Sequence, residues 1–122
     1  MANEFTVTSS LKLVNGNDSY SRTISFNADQ TSAGGPSPGV ASIGTTHEAV
    51  TPADLTNLGW AVFKNLDTTN FVEVGVQVST TFYPFLKLLP GEQVQVRLSP
   101  SISLFAKANT GAVRLESQVF EA

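Results

Sequence analysis

The chain has 122 residues and no cysteine, enough for one hydrophobic core without cross-links and with no thiolate nucleophile or sulfur-based zinc site. Its formal charge is −3, and Lys12, Arg22, Lys64, Lys87, Arg97, Lys107 and Arg114 are scattered singly along the chain with no basic stripe, which argues against a nucleic-acid partner, since phosphate binding needs clustered cations. Only 14% of residues are charged, well below the usual quarter, which fits either a surface covered by neighbouring subunits or the hydroxyl-rich coat of an exported β-protein.

The first ten residues, MANEFTVTSS, have neither a basic nor an apolar leader region, so no signal peptide is expected. No apolar run approaches the roughly 20 residues that cross a bilayer, and no membrane partner is expected. Phe5, Val7, Leu11 and Leu13 recur at even spacing, with Thr6, Thr8, Ser10 and Lys12 between them. Asn15-Gly16-Asn17-Asp18 then gives the Asn-Gly hairpin signal. The return strand puts Tyr20, Ile24 and Phe26 on one face, with Arg22 among them, and Ser21, Thr23, Ser25 and Asn27 on the other. Residues 31–46, TSAGGPSPGVASIGTT, are rich in Gly, Pro and Ser and read as a largely irregular loop, or as an arm lying on a neighbouring subunit.

Thr51-Pro52-Ala53-Asp54-Leu55 predicts one short helical turn, with Thr51 as cap and Pro52 at the first helical position. From Gly59 onward the pattern is strands. Gly59–Asn65 leads into a polar turn at Asp67-Thr68-Thr69-Asn70. Val72, Val74, Val76 and Val78 then share one face. Beyond a turn at Leu89-Pro90-Gly91-Glu92, Val94, Val96 and Leu98 alternate with Gln93, Gln95 and Arg97. Ile102, Leu104, Ala106 and Ala108, then Val113, Leu115 and Val119, complete the series. About eight short strands with regular turns predict an all-β, antiparallel β-sandwich of jelly-roll-like form, a single domain over 1–122.

Reactive groups are sparse. His47 is the only histidine and cannot build a metal site or a Ser-His-Asp arrangement alone. Glu73, Glu92 and Glu116 fall out of phase with the core, and Asp18 and Asp67 sit in turns, so no facing pair of carboxylates for glycoside hydrolysis stands out. Gly34-Gly35-Pro36 lacks the lysine and helix of a phosphate loop. The reading is therefore no enzyme, no cofactor and no metal. Trp60, in an apolar setting, is assigned to core packing.

Large apolar residues that face away from the predicted core are the more informative set. If Leu104 and Ala106 face inward, Phe105 faces outward; Val119 does the same for Phe120. Phe71 opposes the valine face, and Phe82 or Tyr83 must point out. Aromatics on an outer sheet face mark contact surfaces unless another layer covers them. Phe71, Tyr83, Phe105 and Phe120 are the interface candidates.

Several pieces of the second half, Asn65-Leu66-Asp67, Asn70-Phe71-Val72-Glu73-Val74-Gly75, Leu89-Pro90-Gly91-Glu92, Arg97-Leu98 and the closing LFAKANTGAVRLESQVFEA, resemble small structural proteins of tailed bacteriophage virions. The resemblance implies a β-sandwich subunit of a head decoration, head fibre or tail component, synthesised in the host cytoplasm and resident in the virion. It also implies a homo-oligomer, often a trimer, that docks on a major capsid or tail protein and carries no catalytic residues. A carbohydrate-binding β-sandwich with a receptor-binding role is the alternative, with a glycan as partner.

Overall fold

The hairpin expected at the N-terminus is present, and its turn falls one residue later than the Asn-Gly pair suggests. Strand β1 (Phe5–Asn15) pairs antiparallel with β2 (Asp18–Ala28) from Phe5↔Ala28 to Asn15↔Asp18, so the two turn residues are Gly16 and Asn17. Gly16 has φ of 60°, the left-handed value that the first position of a type II′ turn requires and that glycine reaches without strain. Cross-strand hydroxyls stitch one face: Thr6 Oγ1 donates to Asn27 Oδ1 at 3.2 Å, and the pairs Thr8–Ser25 and Ser10–Thr23 each lie at 3.1 Å.

The computed structural model describes residues 3–31, 34–35, 37–52 and 54–122, with only the backbone of 37 and 38. Ten strands and no helix occur among them, so no helix is long and apolar enough to cross a membrane. The sequence reading takes 1–122 as one domain; the contacts group the chain into two compact units, Met1–Ser32 and Ala33–Ala122.

The second unit is β-sandwich-like. Strands β3 (Ser37–Ile43), β10 (Val113–Glu121), β5 (Leu58–Asn65) and β8 (Gln93–Arg97) form one antiparallel sheet in that order. Strands β4 (Glu48–Ala49), β9 (Phe105–Ala108), β6 (Val72–Val78) and β7 (Thr81–Leu88) form the other. The pairing is nested: β3 with β10, β4 with β9, β5 with β8 and β6 with β7, as though one long hairpin had been rolled so that successive pairs alternate between sheets.

Alternation builds the core between the sheets. Phe63, Ile43, Leu115, Val113 and Val119 from the first sheet, with Val72 and Val74 from the second and Leu104 leading into β9, are all fully buried in one cluster. Burial of each such side chain contributes roughly 1.5–3 kcal/mol. These residues hold the layers together; the outer faces are left for other work.

Four expectations need correction. Ser37–Ile43, inside the stretch read as irregular, forms β3 and pairs with β10 from Val113↔Ile43 to Val119↔Ser37. No helical turn follows Thr51 among the described residues; its hydroxyl instead accepts the Leu104 N–H at 2.8 Å and donates to the Leu104 carbonyl at 3.4 Å, holding the segment to the residue that leads into β9. Of the four valines on one face, Val72 and Val74 are buried, Val76 is half-buried and Val78 is exposed, because the strand runs past the core. Ten strands, not about eight, occur among the described residues.

Candidate interaction surfaces

The buried polar groups tie loops to sheets. Asn65, fully buried, donates through Nδ2 to the carbonyls of Asn70 and Leu88, both at 3.0 Å, and accepts the Asp67 N–H at 2.8 Å. Asp67 in turn accepts the N–H groups of Thr69 at 3.0 Å and Asn70 at 2.6 Å, which hold its carboxyl below the usual range by favouring the charged form. The Glu121 carboxylate accepts the N–H groups of Thr56 at 2.8 Å and Asn57 at 3.0 Å and the Thr56 hydroxyl at 3.1 Å, and its pKa is likewise lowered. The Leu89–Glu92 turn is closed by Glu92 N–H to Leu89 O at 3.0 Å and by Leu89 N–H to Glu92 Oε1 at 2.8 Å, with Gly91 at φ of 81°. These are fold-bearing arrangements.

His47 packs with the outer face of the β4–β9–β6–β7 sheet. Its ring stacks on Phe82 at 5.5 Å between centroids, meets Phe105 edge-on at 5.9 Å and lies 3.1 Å from Gln77 Oε1 through Nε2. Among the described residues no group of three or more His, Asp or Glu gathers in a way that could hold a metal. Trp60 is half-buried, with its indole nitrogen inside.

The four aromatic candidates occupy different settings. Phe71, just before β6, is half-buried beneath the Lys87 ammonium, which stands 4.2 Å from the ring centroid. Phe105 is half-buried against His47. Phe120, on β10 of the opposite sheet, is half-buried beside Gly35, where an added Cβ would lie 3.5 Å from its ring; Gly34 O accepts the neighbouring Glu121 N–H at 3.0 Å. Tyr83 on β7 is 54% exposed.

Tyr83 is not the only exposed large apolar or aromatic residue on or next to β6 and β7. Val78, Phe85 and Leu89 are also exposed, and Glu73, Pro84, Phe85, Leu86 and Lys87 line an open recess of about 230 Å³, smaller than the usual 300–1,000 Å³ ligand cavity. β7 is an edge strand. Pro84 removes a backbone donor there, and the register slips between Val74 and Gly75, two features that blunt an edge against strand addition.

A second apolar surface lies on the hairpin, and sequence periodicity alone treats it as core. Leu11 (67% exposed), Leu13, Tyr20, Ile24 and Phe26 are exposed large apolar residues that the register places on one face of β1–β2. Among the described residues the hairpin forms a sheet of two strands only, and on this face Val7 is buried while Leu11 and Leu13, nearer the turn, are exposed. The available sequence signal was length: eleven residues per strand is twice the usual strand, followed by a Gly/Pro/Ser-rich break.

In comparisons with family models, curated proteins and solved structures, nothing matches this chain.

Proposed function

We propose that this chain is a non-enzymatic structural subunit of a tailed-bacteriophage virion, which joins a capsid or tail lattice through apolar sheet surfaces. The observation that carries the reading is the hairpin face. A two-stranded ribbon is marginal in water by itself, and Leu11, Leu13, Tyr20, Ile24 and Phe26 exposed on it are side chains that a docking partner would cover.

The nested pairing of β3 with β10, β4 with β9, β5 with β8 and β6 with β7 supports a jelly-roll body, an architecture that recurs in viral capsid proteins. The Asn65–Asp67 and Leu89–Glu92 pieces that resemble virion proteins are here the residues that close the body's turns. Homo-oligomerisation and docking on a major capsid or tail protein follow from that resemblance.

The test is co-sedimentation of the purified chain with purified capsid and tail lattices. The wild type pellets with one of them, and a Leu13→Lys/Ile24→Lys variant that keeps its circular dichroism spectrum stays in the supernatant. A wild type that pellets with neither removes the reading.

Jelly rolls also occur in lectins, and Phe85, exposed in the recess that Glu73 and Lys87 also line, with Tyr83 exposed on the same strand, favours glycan binding as the second reading. Saturation-transfer NMR with monosaccharides checks it: transfer to a sugar that Tyr83→Ala abolishes supports it, and silence across the set removes it.

A further inference from the structure

The apolar hairpin face carries two charges as well. Alternation from the Asn15↔Asp18 and Leu11↔Arg22 pairs puts Asp18, Tyr20, Arg22, Ile24 and Phe26 of β2 on one face, opposite Asn15, Leu13, Leu11, Ser9 and Val7 of β1. Arg22 is the one cation on that face and Asp18 the one anion. They stand four residues apart on one strand, about 14 Å at the antiparallel rise, too far to pair with each other. Covering this face therefore desolvates Arg22 unless the covering surface supplies an anion, because a buried charge needs a partner.

A second copy supplies it in one orientation. We propose that the outer part of the hairpin face, residues 11–22, is covered by the same part of another copy of this chain, antiparallel, about a two-fold axis passing through the Leu13–Tyr20 pair. That axis sets Tyr20 against Tyr20 and Leu13 against Leu13, and it brings each Arg22 over the Asp18 of the other copy. Parallel bundling about a two-fold or three-fold axis along the strands does the opposite: it brings every Arg22 to the same height around a dry axis, where like charges repel. The contact is isologous, as a two-fold demands.

The overlap spans the outer part of the hairpin, residues 11–22, and belongs with small contacts that bury below about 1,200 Å². It forms when copies are concentrated, and because it covers Leu13 and Tyr20 it competes with any lattice that covers the same residues. The inference rests on the assembly reading above only for the premise that the chain self-associates. A chain that forms this dimer but ignores capsid and tail lattices keeps the dimer and removes the virion reading; a monomer that binds a lattice does the reverse.

Sedimentation velocity of the full chain, from low-micromolar to sub-millimolar concentration, tests it. The wild type moves from monomer to dimer. Arg22→Asp and Asp18→Arg each weaken the dimer at least about tenfold, and the double swap Asp18→Arg/Arg22→Asp recovers it to within about threefold, a difference under 1 kcal/mol. Ser21→Lys, on the hydroxyl-bearing face, leaves it unchanged, and circular dichroism confirms that each variant is folded. A wild type that stays monomeric, a trimer, single swaps without effect or a double swap without recovery overturns the proposal.

Discussion

Asn65 on β5 donates through Nδ2 to the Leu88 carbonyl on β7 at 3.0 Å, a side-chain bond that crosses from one sheet of the second unit to the other. The same amide reaches the Asn70 carbonyl and accepts the Asp67 N–H, so one fully buried residue registers two sheets and the turn between β5 and β6. Replacing it strands three buried or half-buried backbone partners. Asn65→Ala should lower the unfolding free energy by about 3 kcal/mol, since each orphaned group costs roughly 1–3 kcal/mol. Urea denaturation measures it, and a loss under about 0.5 kcal/mol, the level of a surface substitution, would disprove the bridging role.

Glu121 links pH to stability. Its carboxyl, held below the ordinary 4.5 by the Thr56 and Asn57 N–H groups, binds a proton less readily folded than unfolded. The stabilisation is therefore complete above pH 4.5 and is lost as pH falls through the lowered folded value. Asp67, lowered from 3.8, acts in the same direction further into acid. Glu121→Gln should be less stable than wild type at neutral pH and should lose less on acidification from about pH 5 to 3. Melting temperatures over that range decide it; parallel curves for the two proteins would contradict the assignment.

Gly75 sits where β6 slips register against β7. A Cβ there would lie 2.5 Å from Pro84 Cα and closer still to the Tyr83 carbonyl oxygen, both backbone atoms of the edge strand. Gly75→Ala should cost at least about 1–3 kcal/mol, the range for overpacking, and should loosen β7 first. Hydrogen exchange of β7 amides reports it, with unchanged protection as the contrary result.

Leu104 and Phe85 make a matched contrast of core and surface. Leu104 is fully buried in the inter-sheet cluster, whereas Phe85 is 52% exposed. Leu104→Ala should destabilise by about 2–5 kcal/mol and Phe85→Ala by no more than about 0.5 kcal/mol. Chemical denaturation of the pair checks both. Equal losses would show that the β7 surface is packed in solution.

Much of the fold is legible in the order of residues because strand formation is a local event. Period-two alternation at Phe5–Leu13 and Gln93–Leu98, the Gly16 and Gly91 turns and the inward set Leu104, Ala106, Val113, Leu115 and Val119 all follow from sterics and from the pleat that sends neighbouring side chains to opposite faces. Thr51-Pro52 shows where local reading stops: its capping chemistry is intact, yet the hydroxyl bonds Leu104, fifty-three residues away. Likewise Pro38 and Gly39 speak for a loop until β10 offers an edge to pair with.

Sequence by itself determined that antiparallel strands dominate the chain and which side chains alternate along most of them. Only tertiary structure decided which faces found a second layer. Alternation is the same in β2 and β10, but the apolar side of β10 meets an opposing sheet while that of β1–β2 is exposed at Leu11, Leu13, Tyr20, Ile24 and Phe26. The period of a strand is set by its own backbone; burial is set by what lies opposite, and that depends on contacts distant in the chain.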